Sequence, residues 1–245
     1  MKVVGVIPAR YASTRFPGKP LVKILGKPMI LWVAEKTAAA LGKGFTYVAT
    51  DDERIAQVVQ EDGFQVVMTS PNCLTGTDRL WDFAQQVSAE IYVNVQGDEP
   101  MIKPNDILKV VEHKKQNPNC VVNAMCKLRP VEDPFDLTIP KVLASRNGDL
   151  IYMSRSPIPY SKSGNLNGID FYKQVCIYAF NYEELKAFGS EPQKAYCEQF
   201  EDIEILRFLD LGFKIKMVEV EFASAAVDLP EHVPMIEKLL QNEHS

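Results

Sequence analysis

Residues 3–20 read VVGVIPARYASTRFPGKP, and this stretch decides the fold. Its first part, Val3–Ile7, is a short apolar run rich in β-branched side chains, which predicts a strand buried on both faces. A loop rich in Arg and Lys follows directly at residues 8–20. Because ligands of open α/β sheets bind beyond the carboxyl ends of the strands, this loop is a candidate binding site.

Further strands and helices alternate after this first strand. Val- and Ile-rich runs predict strands at Thr46–Ala49, Gln65–Met68 and Ile91–Val95. Apolar residues at helical spacing predict helices at Pro28–Leu41, after Asp51 or Asp52, at Thr77–Ala89 and at Pro104–Lys115. This alternation is typical of an α/β protein with a mainly parallel sheet and helices on both faces.

The second half of the chain has a different pattern. Residues 129–168 are rich in Pro, Asn, Ser and Gly, and strands are predicted at Val121–Cys126, Leu150–Ser154 and Val175–Phe180. We interpret residues 129–182, approximately, as an antiparallel lobe that covers the substrate. A helix at Glu198–Leu211, a strand at Lys214–Val220 and a helix at Pro230–Gln241 are predicted after it. No linker divides residues 1–245, so we expect a single domain.

Composition narrows the class of protein. Of 245 residues, 46% are hydrophobic and 24% are charged, as in a folded domain. The net charge of −5 argues against nucleic acid as a partner and favours a small molecule. The five cysteines form no CxxC pair, which indicates reduced thiols. No segment approaches the ~18 apolar residues of a membrane span, so we expect no membrane insertion and a cytoplasmic protein.

The 8–20 loop has the chemistry of an anion site. Arg10, Arg15 and Lys19 suit a polyphosphate, because guanidinium and ammonium groups neutralise and position phosphate oxygens. Neither GxxxxGK[ST] nor GxGxxG occurs in the chain, which disfavours P-loop ATPases and Rossmann dehydrogenases. A solvated loop whose charges pair with surface carboxylates is the alternative.

Two aspartates are candidate ligands of a divalent cation. Asp98 follows the apolar run IYVNV, and Asp228 precedes Pro230 near the start of the last predicted helix. Mg²⁺ is usually held by one or two carboxylates together with substrate phosphates, so the pair suits a metal next to a bound triphosphate. Asp228 fits equally well as the N-cap of the last helix.

Five segments together resemble one enzyme family. They are VIPARYASTRFPGKPL (6–21), ATDDERI (49–55), TGTDRL (75–80), NVQGDEP (94–100) and SRSPIPY (154–160). In order and spacing they are similar to those of the 3-deoxy-manno-octulosonate (Kdo) cytidylyltransferases, over nearly the whole chain. The resemblance implies a Rossmann-like sugar nucleotidyltransferase core, an antiparallel dimerisation lobe, a homodimer and a Mg²⁺ requirement. It also implies that CTP and Kdo react to CMP-Kdo and pyrophosphate in lipopolysaccharide synthesis.

The same resemblance implies roles for individual residues. Arg10, Lys19 and Asp98 are the expected catalytic residues, and Arg10, Arg15 and Lys19 bind the triphosphate. The expected cytidine pocket consists of Pro8, Ala9, Ala49, Thr50, Asp51, Thr75, Gly76 and Arg79. Asp98 and Asp228 are the expected metal ligands. The expected contacts of the sugar acid are Gln96, Arg155, Gln174, Tyr178, Glu201 and Glu204, with Arg155 placed to pair with the sugar carboxylate.

Departures from the family pattern concentrate on the sugar side. Gln174 stands where most members have His, and Cys176 and Ile205 replace a usual Gly and Gln. Some members of the family act on 8-amino-3,8-dideoxy-manno-octulosonate (8-amino-Kdo), and an ammonium needs acceptors such as the Gln174 oxygen. Kdo and its 8-amino analogue are therefore both candidate substrates. A nucleotidyltransferase for another sugar acid and an inactive nucleotide-sensing module are the alternatives.

Overall fold

The computed structural model describes residues 1–12, 16–221 and 226–243. Strands and helices alternate along these residues. The strands are β1 (Val3–Ala9), β2 (Lys23–Ile24), β3 (Lys27–Pro28), β4 (Thr46–Thr50), β5 (Gln65–Met68), β6 (Ile91–Val95), β7 (Val121–Lys127), β8 (Lys141–Ala144), β9 (Leu150–Ser154), β10 (Tyr172–Phe180) and β11 (Ile215–Glu219). The α-helices are α1 (Met29–Leu41), α2 (Glu53–Glu61), α3 (Gly76–Gln86), α4 (Pro104–Gln116), α5 (Tyr182–Gly189), α6 (Tyr196–Glu201), α7 (Ile205–Asp210) and α8 (Val233–Glu243).

A twisted central sheet carries the fold. Its path is β11-β7-β10-β6-β1-β4-β5. The strands β6, β1, β4 and β5 are parallel, β11 is parallel to β7, and β10 runs antiparallel to both of its neighbours, β6 and β7. The predicted α/β class with a mainly parallel core sheet is therefore confirmed.

One antiparallel pair of strands extends this sheet, and a second pair forms a sheet of its own. β8 pairs with the first residues of β10 at Tyr172 and Lys173, and β9 pairs with β8. These two strands lie within the predicted lobe. The short pair β2 and β3 forms a separate two-stranded sheet before α1.

Helices cover both faces of the central sheet. One core lies between the sheet and α1, α2 and α4, and includes Ile7, Val33 and Val110. The other lies under α3, α5 and α7, and includes Phe83 and Phe208. Within the described residues, no helix is long and apolar enough to cross a bilayer.

Close packing of α1 on β1 depends on Gly5. A Cβ atom at Gly5 would lie 2.5 Å from Cγ2 of Thr37. Any larger residue would push α1 away from the strand, since atoms in such a core have little room to move. β1 is therefore packed closely against the helix.

One predicted helix is wrong, and several short elements were not predicted. The region Glu198–Leu211 is not one helix but two, α6 and α7, separated by a bend at which Asp202 has a left-handed φ of 51°. The sequence pattern does not predict the two small strands β2 and β3, the lobe strand β8, or α5. The last predicted helix begins with a 3₁₀ turn at Pro230–His232 and continues as α8.

Candidate active site

A cleft of about 300 Å³ opens at the carboxyl ends of β1 and β6. Its described wall combines cationic, acidic and amide side chains with exposed backbone. The wall residues are Pro8, Ala9, Arg10, Lys19, Pro20, Met29, Leu74, Thr75, Gly76, Arg79, Gln96, Gly97, Asp98, Lys194, Asp202, Glu204 and Asp228. The segments that follow β1 and β6 and the one that begins α3 thus meet at one edge of the sheet, as the parallel arrangement predicts.

Lys19 lies between the two aspartates. Its Nζ donates to Asp98 Oδ2 at 2.7 Å and lies 3.5 Å from Asp228 Oδ1. The three side chains come from positions 79 and 209 residues apart in sequence. The carboxylates of Asp98 and Asp228 therefore both face the ammonium group of Lys19.

Local backbone features bring these groups together. Gly18 has φ 70° and precedes the 3₁₀ turn Lys19–Leu21, so the chain turns sharply before the lysine. A Cβ atom at Gly97 would lie 3.0 Å from the carbonyl oxygen of Pro8, so glycine lets the loop before Asp98 approach β1. The backbone N–H of Val227 donates to the carbonyl of Asp98 at 2.9 Å, which places Asp228 beside it.

The donor set of this point fits a hard divalent cation. Within the described residues, no group of three or more His, Cys, Asp or Glu side chains converges. Two carboxylates alone make an incomplete shell, and Mg²⁺ is commonly bound in this way when substrate phosphates supply further oxygens. Asp98 and Asp228 therefore suit a magnesium ion that binds together with a phosphorylated ligand.

The N-terminus of α3 forms another part of the cleft wall. Thr75 is its N-cap, and the Thr75 side chain accepts from the backbone N–H of Asp78 at 3.2 Å. The Glu204 carboxylate accepts from the N–H groups of Gly76 at 3.1 Å and Thr77 at 2.8 Å. Burial raises the pKa of Glu204, while these donors act against that rise. The first amides of α3 are thus occupied by a side chain of the protein itself.

Arg79 is held in a fixed orientation beside the cleft. Its Nη1 donates to Thr69 Oγ1 at 2.5 Å, and its Nη2 donates to Asp51 Oδ2 at 3.1 Å. Ala49 and Thr50 end β4, where they pair with Pro8 and Ala9 of β1. In the described part of the chain, Ala49, Thr50 and Asp51 lie behind the cleft wall rather than on it.

Arg155 and Glu201 brace the bend between α6 and α7. The Arg155 guanidinium donates to the carbonyls of Glu201 at 2.5 Å and Asp202 at 3.1 Å, and also to the carbonyl of Leu137 at 2.9 Å. The Glu201 carboxylate accepts from Ser154 Oγ at 2.7 Å and from the Arg155 N–H at 2.8 Å. The lobe strand β9 is thereby tied to the bend that carries Asp202 into the cleft.

Of the remaining residues expected to contact a sugar, only Gln96 lines the described cleft. Its N–H lies 3.3 Å from the carbonyl of Cys176 on β10. Tyr178 is buried two residues further along the same strand, and burial raises its pKa well above the usual value. Gln174 is half-buried near the start of β10, with its Nε2 3.0 Å from Asn123 Oδ1.

The cleft also contains two charged residues that the sequence pattern does not indicate, Lys194 and Asp202. Lys194 Nζ and Asp202 Oδ1 lie 2.9 Å apart on the cleft wall. Asp and Asn tolerate left-handed backbone better than most residues, so the Asp at 202 was the one available signal for the bend. Lys194 lies in an ordinary polar loop and gave no signal. Arg15, expected at the triphosphate, lies outside the described residues.

Fold and cleft together define an α/β protein of the nucleotidyltransferase class. The profile of the cytidylyltransferase family matches residues 4–215. The mitochondrial 3-deoxy-manno-octulosonate cytidylyltransferase of Arabidopsis thaliana is 41% identical over 99% of this chain and 84% of its own length. The Escherichia coli 3-deoxy-manno-octulosonate cytidylyltransferase is 38% identical over 99% and 97% of the two chains. The chain belongs to the cytidylyltransferase family.

A solved structure agrees over the whole chain. CMP:2-keto-3-deoxy-manno-octonic acid synthetase, solved in complex with CTP, superposes with a TM-score of 0.92 and is 38% identical. The superposition covers 99% of this chain and 100% of the other. The fold implied by the five sequence segments is thus the observed one.

Proposed function

We propose that this chain transfers the CMP group of CTP to 3-deoxy-manno-octulosonate or a close analogue and releases pyrophosphate, for lipopolysaccharide biosynthesis. One observation supports the proposal most strongly. A lysine from the loop after β1 and two distant aspartates meet at one point of a cleft whose size suits a small ligand. Relatives about 40% identical over nearly the whole chain bear the corresponding name.

Arg10 and Lys19 would hold the triphosphate of CTP. In the reaction, the anomeric hydroxyl of the sugar acid attacks the α-phosphate, and pyrophosphate leaves from the opposite side. Such transfers depend on positioning the reactants and on balancing negative charge that spreads over phosphate oxygens. Both side chains line the same cleft, so they lie where that charge would develop. We also assign Arg15 to triphosphate binding, and this assignment rests only on the resemblance of its loop to that of the family.

Asp98 and Asp228 would hold Mg²⁺ next to the phosphates. The ion would supply positive charge to the phosphate oxygens and orient the reacting groups. In the present structure Lys19 bonds to Asp98, which keeps the lysine beside the carboxylates until a substrate competes for it. The two aspartates thus position the cationic side chain as well.

The wall formed by Pro8, Ala9, Thr75, Gly76 and Arg79 would receive the cytosine base and ribose. Asp51 contributes by fixing the guanidinium of Arg79, and Ala49 and Thr50 contribute through the backbone behind Pro8 and Ala9. A rigid guanidinium and fixed backbone groups are suited to discriminate between bases, because a mismatched base leaves buried polar groups unpaired.

The sugar acid would lie against Gln96 and Glu204, with Arg155, Gln174, Tyr178 and Glu201 behind them. Arg155 would approach the sugar carboxylate from the bend that it braces. The 8-amino analogue remains a second candidate because the Gln174 side chain offers an amide oxygen and never becomes a cation. Comparing kcat/KM for Kdo and 8-amino-Kdo tests this choice, and equal values would contradict a preference for the amino sugar.

The lobe at about 129–182 would cover the substrate and form a homodimer. Its surface exposes the apolar side chains of Val131, Phe135, Leu137, Ile151 and Tyr160. Among the described strands, β9 pairs only with β8 in the central sheet, and its other edge is unpaired beyond the isolated bridge of Asp149 with Lys216. Exposed apolar groups beside an open strand edge favour association with another chain. Both substrates are charged, water-soluble compounds, so we expect the enzyme to work in the cytoplasm.

A pyrophosphate-release assay tests the proposed function. The purified chain is incubated with each of the four nucleoside triphosphates, Mg²⁺ and either sugar acid. We expect release with CTP only, and none after the sugar acid or Mg²⁺ is omitted. Release with another triphosphate would assign a different nucleotidyltransferase. Tight CTP binding without release would identify a nucleotide-sensing module instead.

A further inference from the structure

Asn123 is completely buried on β7, next to an irregularity in β10. The register between β10 and β7 shifts between Val175 and Tyr178. Asn123 Nδ2 donates to the carbonyls of Val175 and Ile177, each at 2.9 Å. A shift of this kind leaves backbone groups without ladder partners, and buried carbonyls need a donor. The asparagine side chain supplies that donor for both.

These two bonds fix the orientation of the Asn123 amide. A side-chain amide has two N–H donors, and both are directed to backbone carbonyls here. The remaining atom, Oδ1, acts as an acceptor. It accepts from Gln174 Nε2 at 3.0 Å. Rotating either amide by 180° would place two donors or two acceptors against each other, so the hydrogen-bond network permits one arrangement.

This arrangement determines which atom of the Gln174 amide is directed away from Asn123. Its nitrogen is directed to Asn123, so its oxygen is the free end of the amide. Among the described residues, no donor contacts Gln174 Oε1, and the only buried side-chain polar atoms without a partner belong to Asn94. Gln174 Oε1 is therefore accessible to solvent and available as an acceptor.

Gln174 also lies on the side of the sheet that faces the proposed sugar site. Side chains alternate along a strand, and Cys176 and Tyr178 belong to the same face of β10. The carbonyl of Cys176 accepts from the N–H of Gln96, whose residue lines the cleft. Gln174 comes two residues before Cys176, and because β10 runs antiparallel to β6, it lies past the carboxyl end of β6.

We propose that Asn123 is a positioning residue that makes position 174 an acceptor towards the sugar acid. This inference rests on the proposed function. With one N–H of the Gln174 amide held by Asn123, Gln174 Oε1 is oriented to accept a hydrogen bond from a hydroxyl or ammonium of the substrate at this point. A substrate group that donates to Oε1 is favoured here, because it forms a hydrogen bond that a group with only acceptors cannot make with this oxygen.

A double-mutant cycle on positions 123 and 174 tests the inference. Gln174→Met removes the acceptor at nearly constant volume. Asn123→Leu removes the hydrogen bond that orients the Gln174 amide. We expect each single variant to raise KM for the sugar acid about threefold to tenfold, as for one lost hydrogen bond, with KM for CTP within about twofold. KM for the sugar acid should be no higher in the double variant than in Gln174→Met alone, since Asn123 acts on the substrate only through Gln174.

A purely structural role for Asn123 gives a different result. In that case Asn123→Leu lowers the melting temperature and leaves KM for the sugar unchanged, or its effect on KM persists in the Gln174→Met background. Either outcome overturns the inference. If Asn123→Leu does not fold, Asn123→Ser replaces it in the cycle, because its hydroxyl donates to one carbonyl at most.

Nuclear magnetic resonance separates this inference from the proposed function. Of the two side-chain N–H signals of Gln174, assigned by their loss in Gln174→Met, the one bonded to Asn123 should exchange slowly with solvent in the wild type and faster in Asn123→Ser. This result is expected whether or not the chain releases pyrophosphate from CTP. Fast exchange in the wild type would show that Asn123 does not hold the Gln174 amide, and it would overturn the inference. Slow exchange in a protein that shows no turnover would overturn only the proposed function.

Discussion

Lys19 and Asp98, 79 residues apart, form an ion pair with 2.7 Å between Nζ and Oδ2 inside the cleft. Both side chains are partly exposed, at 18% and 27%. An ion pair with this exposure contributes little to stability, so its position in the cleft points to function instead. The pair places a cationic and an anionic side chain beside Asp228, where phosphate and metal are proposed to bind.

Replacing Asp98 should therefore impair turnover and not folding. We expect Asp98→Asn to lower kcat by about 100-fold or more, the usual effect of removing a group that balances charge in a transition state. Pyrophosphate release measures kcat, and circular dichroism measures the melting temperature. Asp149→Asn is the matched control, since Asp149 also pairs with a lysine, Lys216, at 2.7 Å. Normal turnover by Asp98→Asn in Mg²⁺ would remove Asp98 from the metal site.

Arg79→Lys should weaken CTP binding. The Arg79 guanidinium bonds to Thr69 and Asp51 at once, and a single ammonium cannot reproduce this two-pronged geometry. We expect KM for CTP to rise about tenfold or more, as for the loss of a hydrogen bond to a charged group, with KM for the sugar acid unchanged. Arg54→Lys is the control, because Arg54 pairs with the neighbouring Asp52 on the exposed surface. A KM for CTP within twofold of wild type would exclude Arg79 from the base pocket.

Much of the fold and part of the site could be predicted from the sequence. Buried strands such as Val3–Ile7 and Ile91–Val95 are continuous apolar runs, and the rule that ligands bind at the carboxyl ends of strands then selects the loops with Lys19 and Asp98. These signals are local. Each depends on residues within one strand and the loop after it.

The bend between α6 and α7 could not be predicted in this way. The apolar pattern of Glu198–Leu211 continues through Ile203 and Ile205 without a break. The bend is instead stabilised by Arg155, which bonds to carbonyls from a different part of the chain. In the same way, Glu204 caps α3 across 127 residues, an arrangement that local propensity does not encode.

The buried pair of Arg207 and Glu198 should be important for stability. Arg207 Nε and Nη2 donate to the two oxygens of Glu198 at 2.6 and 2.7 Å, and both side chains are at most 1% exposed. We expect Arg207→Met to reduce the free energy of unfolding by about 3–5 kcal/mol, because it leaves a buried carboxylate unpaired. Urea unfolding measures this change.

The double variant Arg207→Met/Glu198→Met provides the control for the pair. Removing both charges together avoids the unpaired carboxylate, so we expect the double variant to be more stable than Arg207→Met alone. A loss equal to the sum of the two single losses would show that the two side chains do not act as a pair.

Leu137→Asp should dissociate the proposed homodimer. Leu137 is 62% exposed on the lobe, and a charge at the centre of an apolar interface loses its hydration on association. We expect a monomer for Leu137→Asp and a dimer for the wild type in sedimentation velocity at equal concentrations. Leu108→Asp, at an exposed position of α4 outside the lobe, should remain a dimer. A monomeric wild type would contradict the dimer proposal itself.

Glu132 should make the stability of the lobe depend on pH. Burial disfavours the ionised form, but hydrogen bonds from Arg129 and Lys173 outweigh it and lower the pKa of Glu132 from 4.5 to about 2. A carboxyl whose pKa is lower in the folded state stabilises the protein above its unfolded pKa and loses this contribution as the pH falls through the folded value. The stabilisation is thus fully present above about pH 4.5 and is lost progressively towards about pH 2.

We expect Glu132→Gln to lower the melting temperature near pH 7, with a difference from wild type that shrinks as the pH falls below 4.5. Glu183→Gln, whose exposed partner Lys186 lies 3.9 Å away, should differ little from wild type throughout. A difference between Glu132→Gln and wild type that stays constant over this range would show that the ionised carboxylate does not fasten the lobe to β10.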